Sequence, residues 1–553
     1  MFKKCLGLLI CLALLLQCAA ALAEPAVAPK GVFPVVSEPV TLRIWCNLSP
    51  ELVENFENNY GANFLAEKIG VKINWEIIGV NDAKEKLRVM MAANSDMPDV
   101  FMLANVGAIV TADQIFSYGQ QGLIRPLNDL IAEYGEGIYD AYEIDPQKEK
   151  LITAPDGNIY GLPWTIEAYH HRANNKFYIN QAWLDKLNLE TPTTIDGFYD
   201  VLIAFRDQDP NGNGKQDEVP LSGSIASMMT RSTLDCFLMD AFQYSTSYER
   251  HWLYLNDNDE VAFGATTDGF RDGLRFFRKL YTENLLDKEI FVNSNDSLKV
   301  LSGAADGNML GSFIGMMPII GVNIDNPEFF DYVPLSPLEG PAGRFAPDTR
   351  SITAGANFAY LISSDSKYAE VAYRLGDYMM HIASKDLDTF EYMDVRFGEE
   401  NVNWERPQEG DLGLDGEPAR FRRIISSSAN TVHTNGLYQV GPFTWPSYER
   451  NGVAVTDPNM YDIERTLYMD TLNAYEPFRL DRSVPAMNFA VEDTEMLTDI
   501  RVNVLNYGQE AIAMFVTGEW DIETDWDSYV ENMKNYGVET LVEITNRTYQ
   551  AWK

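Results

Sequence analysis

The sequence predicts an α/β fold with mostly parallel sheet. Short alternating β-type runs take turns with amphipathic helical runs through the first hundred residues. That alternation is the mark of βαβ units. The 553 residues suffice for two or three domains with cores of their own. The last third has mainly helical periodicity.

Residues 40–45 (Val-Thr-Leu-Arg-Ile-Trp) alternate like a first strand. An amphipathic helix is expected over 52–68, a second strand over 70–78 and a helix over 83–93. Asp96-Met-Pro-Asp99 turns the chain into a short buried strand over 100–103. The character changes after Ile159-Tyr-Gly-Leu-Pro-Trp164. Residues 177–187 read as a helix-turn segment, and Thr194 caps a helix over 195–206. Residues 252–263 form a hairpin about an Asn/Asp turn. A helix follows over 270–284, with buried strands over 310–317 and 358–362. The acidic, Gly-rich stretch 408–418 reads as an exposed loop, and helices close the chain over 526–553. There is no internal repeat.

The N-terminus has the form of an export signal. Lys3 and Lys4 are its basic start, residues 6–16 its apolar run, and Ala21-Leu-Ala23 its cleavage site. The run is too short for a membrane span. Cys18 offers a lipid anchor as a rival reading, but Leu16-Gln17 lacks the small residue expected before such a cysteine, so cleavage after Ala23 is favoured. Residues 24–36 then form a flexible leader. The mature chain keeps Cys46 and Cys236, enough for one disulfide and no disulfide framework.

The formal charge is –38, and two more positive charges leave with Lys3 and Lys4. That balance excludes nucleic acid, whose phosphates require Lys and Arg, and docking on anionic lipid. An anionic small ligand stays open, because a local Arg outweighs distant charge screened within about 10 Å.

The chain's most specific local pattern is Asp209-Pro-Asn-Gly-Asn-Gly-Lys-Gln-Asp-Glu218. Side-chain oxygens at Asp209, Asn211 and Asn213 alternate, Gly212 and Gly214 let the loop curl, and the Lys215 carbonyl follows. Hard oxygen donors without His or Cys suit Ca²⁺. The start fits an EF-hand loop. The end departs from it, because position 12 is Pro220, and Asp217 and Glu218 must stand in for the missing bidentate Glu. All donors share one short loop, so a bound Ca²⁺ would be structural. A plain Asx/Gly turn needs fewer oxygens than this.

Four segments in order carry a family likeness. They are Ala93-Asn-Ser-Asp-Met-Pro-Asp-Val100; Tyr160-Gly-Leu-Pro-Trp164 with residues 177–187 and 191–198; the 209–218 loop; and Phe515-Val-Thr-Gly-Glu-Trp520 with residues 526–531 and 549–553. Together they resemble the extracellular solute-binding proteins of ABC importers, in particular the large calcium-containing subgroup that includes alginate-oligosaccharide-binding proteins. The resemblance implies a periplasmic-binding-protein type II fold. Two hinged α/β lobes would hold ligand in a cleft, with an extra helical C-terminal part. Lobe one would hold residues 37–162 plus about 345–430, and lobe two 163–344 plus about 431–553. It further implies a monomer outside the cytoplasm, a carbohydrate ligand and ABC permease subunits as partners. Sugar clefts stack pyranose faces on aromatic rings. Tyr160, Trp164 and Tyr169 flank the implied crossover, and Trp445 sits on a loop able to reach it. Arg172 could fork onto a uronate carboxylate or serve in an ion pair.

A peptide or other non-sugar solute is the alternative ligand. An exported polysaccharide-active enzyme is a weaker rival. With 81 acidic residues, carboxylate pairs such as Asp99/Asp156 can be drawn anywhere and identify nothing. No nucleophile elbow, zinc helix or Walker loop occurs, and five histidines are a thin supply for acid–base work. The expected protein is a binder, not an enzyme.

Overall fold

The computed structural model describes residues 26–48, 56–103, 109–224, 234–244, 252–346, 357–385, 389–424, 435–437, 440–445, 451–456, 462–480 and 482–553. The export segment 1–23 lies outside them, whereas residues 26–36, expected as part of a flexible leader, are packed onto the fold: Val35 and Val36 are buried, and Arg374 donates to the Ala28, Pro29 and Val32 carbonyls. The chain divides into two compact units. The first comprises Met1–Ile166 and Gly355–Thr456, the second Glu167–Ala354 and Asp457–Lys553.

The first unit is built on a six-stranded sheet. Its strand order is Thr444–Trp445, Leu162–Ile166, Asn357–Ile362, Val100–Met102, Thr41–Asn47, Lys72–Ile78. The Thr41–Asn47 strand runs parallel to both of its neighbours, and Thr444–Trp445 runs parallel to Leu162–Ile166. Asn357–Ile362 lies antiparallel between Val100–Met102 and Leu162–Ile166, because the chain re-enters the unit there. Thr41–Asn47 and Val100–Met102 are almost wholly buried, as suits strands covered on both faces. The helix expected over 52–68 is described only from Tyr60. Asn59 accepts from the Ala62 N–H and so caps the helix there, and Gly70, at φ 85°, ends it. The expected lobe break at 430 falls inside this unit, since Thr444–Trp445 extends its sheet. The 408–418 stretch is an exposed loop, crossed only by a Leu412–Pro418 bridge.

The second unit departs from the mostly parallel expectation. Its principal sheet has three short strands. Phe177–Asn180 lies antiparallel between Ser312–Ile314 and Tyr332–Pro334. Residues 177–180, expected to begin a helix-turn segment, are thus the central strand. The helix starts at Gln181, where Asn180 accepts from the Trp183 N–H. Four fully buried residues make a poor helix start and a good central strand. Thr194 caps Ile195–Asp207 as expected, and Leu253–Leu255 pairs antiparallel with Val261–Phe263.

Helices supply most of this unit's core. Asp268–Thr282, Val491–Thr517, Trp526–Asn535 and Val538–Trp552 pack around Trp252, Phe277, Phe515 and Tyr529. Only glycine fits at 508, because a Cβ there would stand 2.5 Å from the Trp252 ring. Cys46 and Cys236 are buried, free and in different units. Among the described residues no helix is long and apolar enough to cross a membrane.

Candidate functional site

The 209–218 loop curls as its glycines permit. Gly212 and Gly214 take φ of 78° and 75°, and Asp209 itself takes 48°. Asp209 accepts from the N–H groups of Gly212 (2.9 Å) and Gly214 (3.1 Å). Asn211 accepts from Asn213 N–H, and Asn213 from Lys215 N–H. The Asn211 and Asn213 amides both donate to Asp217, at 3.1–3.3 Å. Lys215 is turned outward onto Asp306, 2.7 Å away. Among the described residues, no three His, Cys, Asp or Glu side chains gather at metal-ligating distance.

Glu218 is the exception in this web. Both carboxylate oxygens are buried, and neither has a hydrogen-bond partner. Burial raises its pKa against the pull of its own main-chain N–H, and the charges of Asp209 and Asp217 add to the rise. An orphaned carboxylate facing two acids is a site a cation would complete. The all-oxygen donor set fits Ca²⁺, which Asp209, Asn211, Asn213, the Lys215 carbonyl, Asp217 and Glu218 would hold. Directly after the loop, Val219 bridges to Leu310 and Ser222 to Phe313. The loop therefore anchors a segment that borders the Ser312–Ile314 strand.

The chain passes between units at Ile166–Glu167. Trp164 precedes that passage on the Leu162–Ile166 strand and is half-buried. Trp445 is on the adjoining parallel strand, where its Cα pairs with that of Ile166. The Trp445 side chain lies outside what is described. Both tryptophans stand near strand C-termini, where parallel sheets place ligands. Tyr160 is different. Its hydroxyl donates to Asp156 at 2.7 Å, and a Cβ on Gly119 would stand 2.2 Å from its ring. With 5% exposure the ring belongs to the core around Phe101 and Leu361 and offers no open face to a sugar.

Beyond the passage, Tyr169–Arg172 forms a short 3₁₀ turn. Tyr169 lies against Tyr468, with ring centroids 4.8 Å apart, and the Arg172 guanidinium lies 5.5 Å from the Tyr169 ring centroid. Arg172 pairs with Glu476 at 2.9 Å, and Arg479 approaches the same oxygen at 4.0 Å. Burial, then the Glu476 charge, raises the Tyr169 pKa. Tyr468 arrives on helix Ile463–Asp470, and Glu476 opens the 3₁₀ turn Glu476–Phe478, with the π-helical turn Thr471–Tyr475 between them. Such turns recur at functional sites. The buried Tyr475 hydroxyl fixes this segment to the central strand. It accepts from Phe177 N–H at 2.9 Å and donates to the Leu335 carbonyl at 3.0 Å.

Tyr468 and Glu476 have no sequence signature. Some three hundred residues separate them from Arg172, and only the fold brings them together. The clearest signal available was the need of a half-buried Arg for a carboxylate.

Residues 49–380 match the family described as bacterial extracellular solute-binding protein. The fructooligosaccharide ABC transporter substrate-binding protein FusA of Streptococcus pneumoniae serotype 4 is 26% identical over 95% of this chain and 93% of its own. The polygalacturonan/rhamnogalacturonan-binding protein YtcQ of Bacillus subtilis is 25% identical over 42% of this chain and 44% of its own. Among solved structures, an EF-hand mutant of FusA with fructo-nystose aligns with a TM-score of 0.71 at 23% identity, covering 93% of this chain and 99% of that one. The alginate-binding protein AlgQ2 without calcium ion aligns at 0.62 and 23% identity, covering 94% and 100%. These alignments show the two-lobed α/β fold of solute-binding proteins. By the family match and the fold, the chain belongs to the bacterial extracellular solute-binding proteins.

Proposed function

We propose that this protein is the extracytoplasmic substrate-binding component of an ABC importer, that it captures an oligosaccharide, and that it hands the sugar unchanged to permease subunits. Full-length similarity to a fructooligosaccharide-binding relative carries the reading. Trp164, Tyr169 and Tyr468 support it. Trp164 is a half-buried aromatic on a strand of the first unit, and Tyr169 and Tyr468 are half-buried in the second, where Arg172 and Glu476 supply polar contacts. Trp445 lies on the strand next to that of Trp164. Tyr160 does not, because its ring is packed. The 209–218 loop holds a structural Ca²⁺, and the orphaned Glu218 supports this. Residues 1–23 direct export.

A thermal-shift screen of the mature protein against oligosaccharides and oligopeptides, followed by calorimetry on Trp164→Ala, tests the reading. A sugar is expected to raise the melting temperature. Trp164→Ala is expected to weaken that sugar's binding by roughly tenfold or more with unchanged circular dichroism. Stabilisation by peptides alone would overturn the carbohydrate assignment, and unaltered affinity in Trp164→Ala would return Trp164 to the core.

A further inference from the structure

We infer that the captured oligosaccharide is uncharged. The inference rests on the binding reading above and adds the ligand's charge class. The two relatives differ on this point: one is named for fructooligosaccharides, which are neutral, and one for polygalacturonan, which is acidic.

The cations beside Tyr169 and Tyr468 decide the charge class. Recognition of a uronate needs a guanidinium free to fork onto a carboxylate. Arg172 is already committed, with its Nη2 2.9 Å from Glu476 Oε1. Arg479 leans on the same carboxylate. Lys176, the next cation along the chain, is fully buried, and its Nζ donates to the Ala173 carbonyl at 2.5 Å. The segment 462–480 that carries Tyr468 holds Asp462, Glu464, Asp470 and Glu476 against Arg465 and Arg479, and His170 faces Glu464 at 3.9 Å. A ligand carboxylate laid on Arg172 would therefore lie beside Glu476. Like charges so placed cost several powers of e in affinity, on the order of a hundredfold.

An uncharged sugar meets no such opposition. A hydroxyl donates to a carboxylate and accepts from a guanidinium, so the Arg172–Glu476 pair can bond to it without separating. Tyr169 and Tyr468 are of the kind that stack on a sugar ring face. Arg172 Nε and Glu476 Oε2 are both buried without partners. The pair is thus enclosed on its inner side, and only its outer edge is left for ligand.

The test is calorimetry on the full mature protein in Ca²⁺. One arm is a panel of neutral fructo-, gluco- and galacto-oligosaccharides, kestose among them. The other is a size-matched panel of oligogalacturonates and oligoalginates. At least one neutral sugar is expected to bind, with every acidic sugar about a hundredfold weaker or undetectable. An acidic sugar binding as tightly as the best neutral one overturns the inference and leaves the oligosaccharide reading standing. Binding of neither class overturns both.

Glu476→Gln is the second measurement. Removing the opposing charge is expected to improve oligogalacturonate binding by about tenfold or more and to leave the best neutral sugar weaker or unchanged. Acidic affinity that does not rise overturns the role given to Glu476. The wild-type panel decides the inference on its own if the variant does not fold.

Discussion

Each unit buries a carboxylate, and the two are treated in opposite ways. In the first unit, Asp377 is 3% exposed and fully engaged. Its oxygens accept from the N–H groups of Glu136, Gly137 and Ile138 at 2.8–3.1 Å, and from the Tyr373 hydroxyl at 3.1 Å. Those N–H groups open helix Gly137–Ile144, whose positive end favours the charge. Burial pushes the Asp377 pKa up, and the three N–H groups pull it back. In the second unit, both Glu218 oxygens are enclosed without a hydrogen bond and have two acids for company. One carboxylate is a finished part of its fold. The other would be completed by a cation of the kind proposed for the 209–218 loop. The difference follows from architecture: the first unit rests on a continuous six-stranded sheet with helix ends to spare, whereas the second has a principal sheet of three short strands and depends on pins outside it.

The strongest way to break this contrast is Asp377→Ala. It leaves three main-chain N–H groups buried and unpaired, each worth about 1–3 kcal/mol. We expect a loss of about 3–5 kcal/mol, read by denaturant unfolding, with faster hydrogen exchange across 136–144. The loss should be the same with and without chelator, because no metal acts there. A chelator-dependent loss would mean that the two units are not separately supported.

Removing metal should give the next largest effect, confined to the second unit. Ca²⁺ at a hundred times its dissociation constant adds about 2.7 kcal/mol to a fold that alone binds it. Chelation is expected to remove that increment and to raise exchange over 209–222 and 310–313, since bridges join these segments. Glu218→Gln should melt near the chelated wild type and respond little to Ca²⁺. An unchanged melting curve in chelator, with no metal found by elemental analysis, would sink the site.

What the sequence showed and what it hid divide along the same line. The parallel core of the first unit was legible because Thr41–Asn47, Lys72–Ile78 and Val100–Met102 are local, periodic and separated by helices. The loop at 209–218 was legible because every donor lies within ten residues. The antiparallel insertion of Asn357–Ile362 was not, because nothing local records which strands a returning segment will separate. Phe177–Asn180 was misread because three apolar residues and an asparagine running into a helix have no period of their own. The sequence pointed to Tyr160 by its position alone, and Gly119, forty residues earlier, decides its burial. Tyr468 and Glu476 were silent for the related reason that their partners are distant.

A third buried charge sharpens the comparison with the smallest effect. Lys176 is fully buried, and burial presses its pKa down to about 7 against a pull from Asp470. Burial lifts Asp470 to about 6, opposed by its hydrogen bond from the Tyr178 hydroxyl, 2.9 Å long, and then by Lys176. An unfolded Lys keeps its proton to about pH 10.4. Between pH 7 and that value the unfolded chain binds more protons at Lys176, so stability from this group rises with pH. Between the ordinary Asp range and pH 6 the folded chain holds the extra proton at Asp470, so that contribution falls as pH rises. The two slopes meet in a shallow minimum between pH 6 and 7. Lys176→Met fills the same space without a charge and should be more stable by about 1–2 kcal/mol at pH 6. Its advantage should shrink steadily above pH 7. Melting temperatures of both proteins from pH 5 to 9 would show this as converging curves. Parallel curves above pH 7 would mean that Lys176 keeps its proton in the fold, and that this unit, like the first, has found a partner for its buried charge.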